Sequence, residues 1–351
     1  MVPHRRIPSN RIHPGGAVAR SSAKAATITE VAKHAGVSLS TVSRVMNDNP
    51  TVDPALAERV RASALELGYA ASPLARSLVL GRTQTVAVVV PDLGNPTFQA
   101  VLRGLSRAAA ADGYHVLIAD SAEQVAEERV LAVETRRRTD GLILCAPRMP
   151  EDELAALLPL VGPVVLVNRS ADAGVPSIAA DYGTALRGLA DHLYGLGHRR
   201  LVYLSGVARS ASNAARLAAL AAFRADHPDV ELRELESGVD FDSGAAAADA
   251  VIATGATGVL AFNDLVAMGL LSALSDRGVR VPQDVSLTGF DDIPFARYMS
   301  PPLTTAAVPA ADLGTLAWRA MNAVLTGDEA SGAVRLAPEV VLRGSTGPVA
   351  A

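Results

Sequence analysis

The chain has 351 residues, too many for one ordinary domain at roughly 100–200 residues each, and its 49% hydrophobic and 19% charged content describes globular rather than disordered protein. Its one cysteine, Cys145, excludes a disulfide framework and a thiolate metal site. The longest apolar stretch, residues 155–167, carries Pro159 and Pro163 and is too short to span a bilayer. No charged segment followed by an apolar one opens the sequence, which predicts a cytoplasmic setting. The net charge of −4 conceals an asymmetry. Residues 1–82 hold eleven Lys/Arg against five Asp/Glu, a net of +6, which leaves −10 for the remainder. That split predicts a polyanionic partner for the N-terminal part alone.

Residues 1–26 have five basic residues, no acids and no apolar periodicity, and are read as a disordered basic extension. Thr27 to Glu30 fits a capping box. Ile28, Val31, Ala32 and Ala35 then share one helical face up to Gly36. Val42, Val45 and Met46 mark a second short helix. Asp53 and Pro54 open a third, expected to bury Leu56, Val60, Ala64 and Leu67 before Gly68. Ser72 and Pro73 open a segment of seven or eight residues stopped by Gly81, too short to be helical without a partner. From Thr83 continuous apolar runs suggest strands covered on both faces: 86–90, 116–119, 141–145, 164–167, 201–204, 259–262 and 285–290. Helical stretches separate most of them, at 98–111, 125–138, 182–195, 214–225, 244–253 and 265–276. The alternation predicts parallel α/β architecture in two sheets.

The first two helices around Gly36 form a helix-turn-helix. Ala32 is small where the helices cross, and Gly36 permits the left-handed turn. The outer face of the second helix carries Ser40, Thr41, Ser43, Arg44 and Asn47. Hydroxyls and amides suit phosphate contacts, and Arg44 suits the O6/N7 edge of guanine. The stretch from Thr27-Ile28-Thr29-Glu30-Val31-Ala32 through Ala35-Gly36-Val37-Ser38 to Thr41-Val42-Ser43-Arg44-Val45-Met46-Asn47 resembles the LacI/GalR family of bacterial transcriptional regulators. So do Gly68-Tyr69, Ala75-Arg76-Ser77-Leu78, Gly81-Arg82-Thr83, Asn95-Pro96, Phe262-Asn263-Asp264, Gly289-Phe290-Asp291-Asp292 and Pro302-Leu303-Thr304-Thr305. The likeness runs over residues 27–346.

The resemblance implies an α plus α/β chain. A helix-turn-helix DNA-binding domain (27–72) and a hinge helix with linker (73–82) precede a periplasmic-binding-protein-like sensor (83–346). One sensor subdomain takes about 83–180 and 309–338, the other about 181–308 and 339–346, with three crossings between them. It places Leu39, Ser40 and Arg44 at base-reading positions. Thr41, Ser43 and Asn47 fall at backbone-contacting ones, Ala75 in the hinge helix, and Leu78 at a minor-groove wedge. Ala71, Ser72 and Pro73 depart from the family's hinge start. Leu39 is apolar where a polar reader is common, and suits a thymine methyl.

For the sensor, ligands of open α/β sheets bind beyond the carboxyl ends of strands. Asn168, Arg169, Asn263 and Asp291 follow predicted strands, Arg216 lies at a helix start, and Asn95 precedes a helix. Phe98 and Phe241 are candidates to stack on a sugar face. Asn168 and Val308 depart from the family's frequent Asp and Gln. The expectation is a repressor that binds a palindromic operator as a homodimer under control of a small effector, a carbohydrate, with no cofactor and no membrane partner. A transport receptor lacking its export signal, and a corepressor-dependent regulator with a non-sugar ligand, are the alternatives. No phosphate-binding loop, nucleophile elbow or metalloprotease motif is present, which predicts no enzyme activity.

Overall fold

The computed structural model describes residues 26–47, 49–69, 81–171, 174–330 and 332–349. The basic extension and most of the hinge, with Ala75 and Leu78, lie outside the described residues. Two compact units divide at Leu80/Gly81.

The N-terminal unit holds α1 (Ile28–Ala35), α2 (Leu39–Met46) and α3 (Pro54–Glu66). Thr27 closes both halves of the capping box: its hydroxyl accepts from the Glu30 amide at 3.4 Å, and its own amide donates to the Glu30 carboxylate at 2.6 Å. Gly36 takes φ +66 and ends α1, a conformation that would strain any residue with a Cβ. Val31, Ala32, Ala35, Val42, Val45, Ala57, Val60 and Ala64 form the core. The expected inner stripe of α3 needs correction. Ala57 and Ser63 are buried with Val60 and Ala64, whereas Leu56 and Leu67 are only half-buried. A three-helix core this small closes on short side chains and leaves the leucines at its margin.

The second unit carries two parallel sheets. The first contains β1 (Thr85–Val90), β2 (His115–Asp120), β3 (Gly141–Cys145), β4 (Val164–Val167), β5 (Ser177–Ala180) and β11 (Ala333–Leu336), in the order β11-β5-β4-β3-β1-β2. The second contains β6 (Arg200–Ser205), β7 (Glu231–Glu236), β8 (Gly258–Ala261) and β9 (Ser286–Thr288), in the order β7-β6-β8-β9. Between these strands lie α4 (Pro96–Ala111), α5 (Val125–Arg136), α6 (Glu151–Val161), α7 (Tyr182–Gly195), α8 (Ala211–Asp226), α9 (Phe241–Ala246), α10 (Ala248–Thr254) and α11 (Asp264–Asp276). After β9 come β10 (Thr305–Ala307), α12 (Ala310–Thr326) and β12 (Glu339–Val341), which pairs antiparallel with β10.

Both sheets are packed on both faces. In β1, Val86, Val88 and Val90 meet Val101 and Leu105 of α4 and Leu313 and Trp318 of α12. Ala87 and Val89 meet Ala132 of α5 and Leu154 and Leu157 of α6 on the other side. In the second sheet Leu201 and Tyr203 pack with α7 and α8, while Val202 and Leu204 face Val266 and Leu270 of α11.

Five strands escape the apolar-run criterion. β5 and β11 are short, β10 and β12 hold three residues each, and β7 (ELRELE) is a charged edge strand. β2 was expected to be covered on both faces; it is an edge strand with Leu117 and Ile118 exposed. Two helices, α6 and α12, were not anticipated, and the stretch 244–253 breaks into α9 and α10 at Ala247. Pro159 sits in the last turn of α6, so the apolar stretch 155–167 is a helix end, a turn and the strand β4.

The first sheet is closed by a backbone-to-backbone crossing. A Cβ added at Gly104 of α4 would land on the Ala311 carbonyl of α12, and one at Gly314 would land on the Val101 carbonyl. Gly104→Ala or Gly314→Ala should therefore cost about 1–3 kcal/mol through forced helix separation. Gly195→Ala, at a site with open space and negative φ at the exposed end of α7, should be neutral or stabilising by up to about 1 kcal/mol. Urea unfolding of the three variants measures the contrast.

Candidate functional site

Two regions hold the candidate residues, one in each unit. In the first, Ser38 caps α2: its hydroxyl accepts from the Thr41 amide at 3.1 Å and lies 2.8 Å from the hydroxyls of both Ser40 and Thr41. Val42 and Val45 anchor the inner face. At about 100° per residue, Leu39, Ser43, Asn47, Ser40 and Arg44 fall within an arc of about 140° on the other side. Leu39 (49% exposed), Ser40 and Arg44 face solvent, while Thr41, Ser43 and Asn47 are half-buried. The Asn47 side-chain amide donates one of its two N–H groups to the Ser43 carbonyl at 2.8 Å. The exposed residues thus form a short ridge that runs from Leu39 and Ser40 in the first turn of α2, where free amides favour anions, to one cation, Arg44, in its last turn.

In the second unit the carboxyl ends of both sheets converge on one cleft. Asn95, Phe98, Asn168, Arg216, Asn263 and Asp291 line it, as does Thr97. The cleft is narrow in this structure, with a cavity volume of about 40 Å³ between its walls.

Asn95 caps α4 by accepting from the Thr97 amide at 2.9 Å. Asn168, at φ +55 just past β4, accepts from the Ala180 amide at 3.1 Å and so locks β5. Asn263 caps α11, and its amide donates to the Val239 carbonyl at 2.8 Å. All three are structural at one end and border the cleft at the other. Asp291 sits at φ +107. Its amide donates to the Ala306 carbonyl, and its carboxylate accepts from the Thr97 hydroxyl at 2.9 Å. Behind it, buried Asp264 accepts from the Ile293 amide and the Thr305 hydroxyl.

Arg216 is the most unusual group. It lies in the second turn of α8, which begins three residues earlier than expected, and is 1% exposed. Its guanidinium stacks over Tyr182, Phe262 and Phe290 at 4.6, 4.5 and 4.1 Å, a desolvated cation–π arrangement. Its Nη1 donates to the Ser212 hydroxyl, while Nε has no partner among the described residues. Arg216 and Asp291 feel one another electrostatically, yet form no direct ion pair within 4 Å.

Two expected residues fall outside this cleft. Phe241 begins α9 with 45% of its surface exposed and is not among the lining residues. Phe262, just after β8, lines the cleft instead, with Phe98 and Tyr182. Arg169 is half-buried and lines a neighbouring depression with Asp181 and Arg335. Sequence reasoning missed Thr97, Tyr182, Phe262, Glu123 and Arg148, which all line the cleft. Arg148 is 5% exposed and makes a bidentate pair with Glu123 at 2.9 and 2.9 Å. His198 is structural: it bonds the Thr257 hydroxyl and the Gly347 carbonyl, both at 3.0 Å.

The two units match different family models. Residues 27–72 match the model of bacterial regulatory proteins of the lacI family, and residues 190–346 match that of a periplasmic binding protein-like domain. The chain is similar to the HTH-type transcriptional repressor CytR of Escherichia coli (strain K12), 31% identical over 93% of this chain and 98% of the relative. It is 32% identical to the ribose operon repressor of the same strain, over 83% and 91%. Among solved structures, the lac repressor dimer bound to operator and the anti-inducer ONPF superposes with a TM-score of 0.85 at 25% identity, over 92% of this chain and all of that one. A lacI-family regulator from Enterococcus faecium with bound ribose gives 0.66 at 26% identity, over 76% of this chain and all of that one.

Burial pushes the Asp291 carboxyl up to about 6, against the opposing pull of Arg216 and the Thr97 hydroxyl. In the unfolded chain it titrates near 4. The folded protein holds this proton longer, so the stability contributed by the group is complete below about pH 4 and is lost as pH rises through about 6. Burial moves Asp264 in the same direction, and the Asp291 charge adds to it. Asp291→Asn should therefore gain stability over the parent between pH 4 and pH 7, by up to about 3 kcal/mol. Denaturation at both pH values checks this; a pH-independent difference would refute the linkage.

Proposed function

The chain belongs to the lacI family of bacterial regulatory proteins, and on that premise we propose that it is a transcriptional repressor whose sheet-lobe cleft senses a carbohydrate. Two copies would place their α2 helices on the half-sites of a palindromic operator. Arg44 would read a guanine edge, Leu39 a thymine methyl, and Ser40 a neighbouring base edge, with Thr41, Ser43 and Asn47 contacting backbone phosphates. Ala75 and Leu78 carry the hinge roles that the resemblance implies.

The observation that carries the effector half is Arg216: an always-charged side chain, enclosed by three rings, with an orphaned Nε at the cleft. A buried donor without an acceptor costs free energy that a ligand oxygen would recover. Asp291, Asn168 and Asn95 supply acceptors and donors around it, and the rings of Phe98 and Phe262 supply apolar contact, a combination suited to a polyhydroxylated ring. The relatives' names and bound ligands, ribose among them, agree. The effector acts only through its different affinity for the DNA-competent and DNA-released states, and release by an inducer is the expected direction. No helix among the described residues is long and apolar enough to cross a membrane, and we place the protein in the cytoplasm.

Arg44→Ala should lower affinity for a selected palindromic operator by about 1–3 kcal/mol and relax discrimination at one base pair per half-site. Gel-shift titration against single-base operator variants checks this; an unchanged selectivity profile overturns the assignment. Arg216→Ala should keep operator binding and lose its response to the sugar that releases the parent protein. A retained response would remove the cleft from the account.

A further inference from the structure

The cleft holds a second buried cation that the effector reading does not require. Arg148 follows β3, and Glu128 of α5, itself 2% exposed, accepts the backbone amides of Arg148 and Met149 at 2.8 and 2.9 Å. The loop is thereby pinned with the guanidinium at the cleft wall. Its Nε and Nη2 both donate to Glu123. Glu123 reaches this position through an unfavourable backbone. Ala122 and Glu123 take φ +50 and +58 in succession, held by the Asp120 carboxylate on the Ala122 amide and by the Pro91 carbonyl on the Glu123 amide. Residues with a Cβ persist there only where the surroundings impose it.

An arginine is permanently charged, and its planar fork matches phosphate and carboxylate. Arg148 and Arg216 line the same small cleft, and two bare forks would make it an anion trap. Each instead faces a carboxylate, Glu123 for one and Asp291 for the other. We propose that Glu123 is the specificity-determining residue that excludes anionic effectors: it occupies the Arg148 fork, closes a latent phosphate or carboxylate subsite, and reserves the cleft for uncharged polyhydroxyl ligands. This rests on the cleft being the effector site and says which effectors it rejects. Rejection works in two ways: the fork is already satisfied, and the Glu123 charge repels an approaching anion.

The test is calorimetric titration of the full-length protein with inorganic phosphate, ribose 5-phosphate and ribose. Glu123→Gln preserves size and removes the charge. It should bind both phosphate-bearing probes at least tenfold more tightly than the parent, whereas ribose, which carries no charge, should show no such gain. The gain should vanish in Glu123→Gln combined with Arg148→Met, which also discounts phosphate held elsewhere on the chain. Equal phosphate affinity in parent and variant, or a gain that survives loss of Arg148, overturns the proposal. Glu123→Ala serves as the second charge-removing variant should the glutamine variant melt early. The phosphate comparison needs no knowledge of the natural effector. Its failure is therefore distinct from failure of the cleft reading, which shows as a retained sugar response in Arg216→Ala.

Discussion

A full positive charge at 1% exposure is the constraint around which the sensor unit is arranged. Burying Arg216 in hydrocarbon alone would be prohibitive. The chain meets the cost with three aromatic faces drawn from separate places: Tyr182 opens α7, Phe262 follows β8, and Phe290 follows β9. Tyr182 and Phe290 also stack on one another at 5.6 Å. The arrangement holds only if both sheets end at the same level and α7 starts close to the crossing between them. The position of one guanidinium is thus tied to the strand register of the whole unit, and the cleft is where that tie is left incomplete.

The parts legible in the sequence are those whose signals are local. The helix-turn-helix announces itself through Thr27 and Glu30, Gly36, and the Val42/Val45 spacing, all closed within a few residues by hydrogen bonds the structure contains. Central strands such as β1 and β3 read as apolar runs because both their faces are buried. Edge strands defeat that rule: β7 carries four charged residues and only two leucines, and β2 leaves Leu117 and Ile118 to solvent.

The cleft shows the same division. Asn95, Asn263 and Asp291 sit at element ends that a pattern can locate. Glu123 and Arg148 come from irregular loops, and their partnership spans 25 residues through a backbone conformation that no periodicity signals. Phe241 misled because a ring at a helix start looks like a stacking platform, whereas here it is nearly half exposed and lies outside the cleft lining.

The crossing of Gly104 over Ala311 has a temporal side. The first sheet lobe takes α12 and β11 from beyond residue 309, after the chain has completed the second sheet. Synthesis runs from the N-terminus, and partly built units expose apolar surface in the interval. Val86, Val88, Val101 and Leu105 must wait for Leu313 and Trp318 to leave the ribosome. The second sheet, contiguous in sequence from β6 to β9, can consolidate first. The lobe that is written first is therefore the one finished last, and its half-built apolar face is the place where a chaperone would be needed.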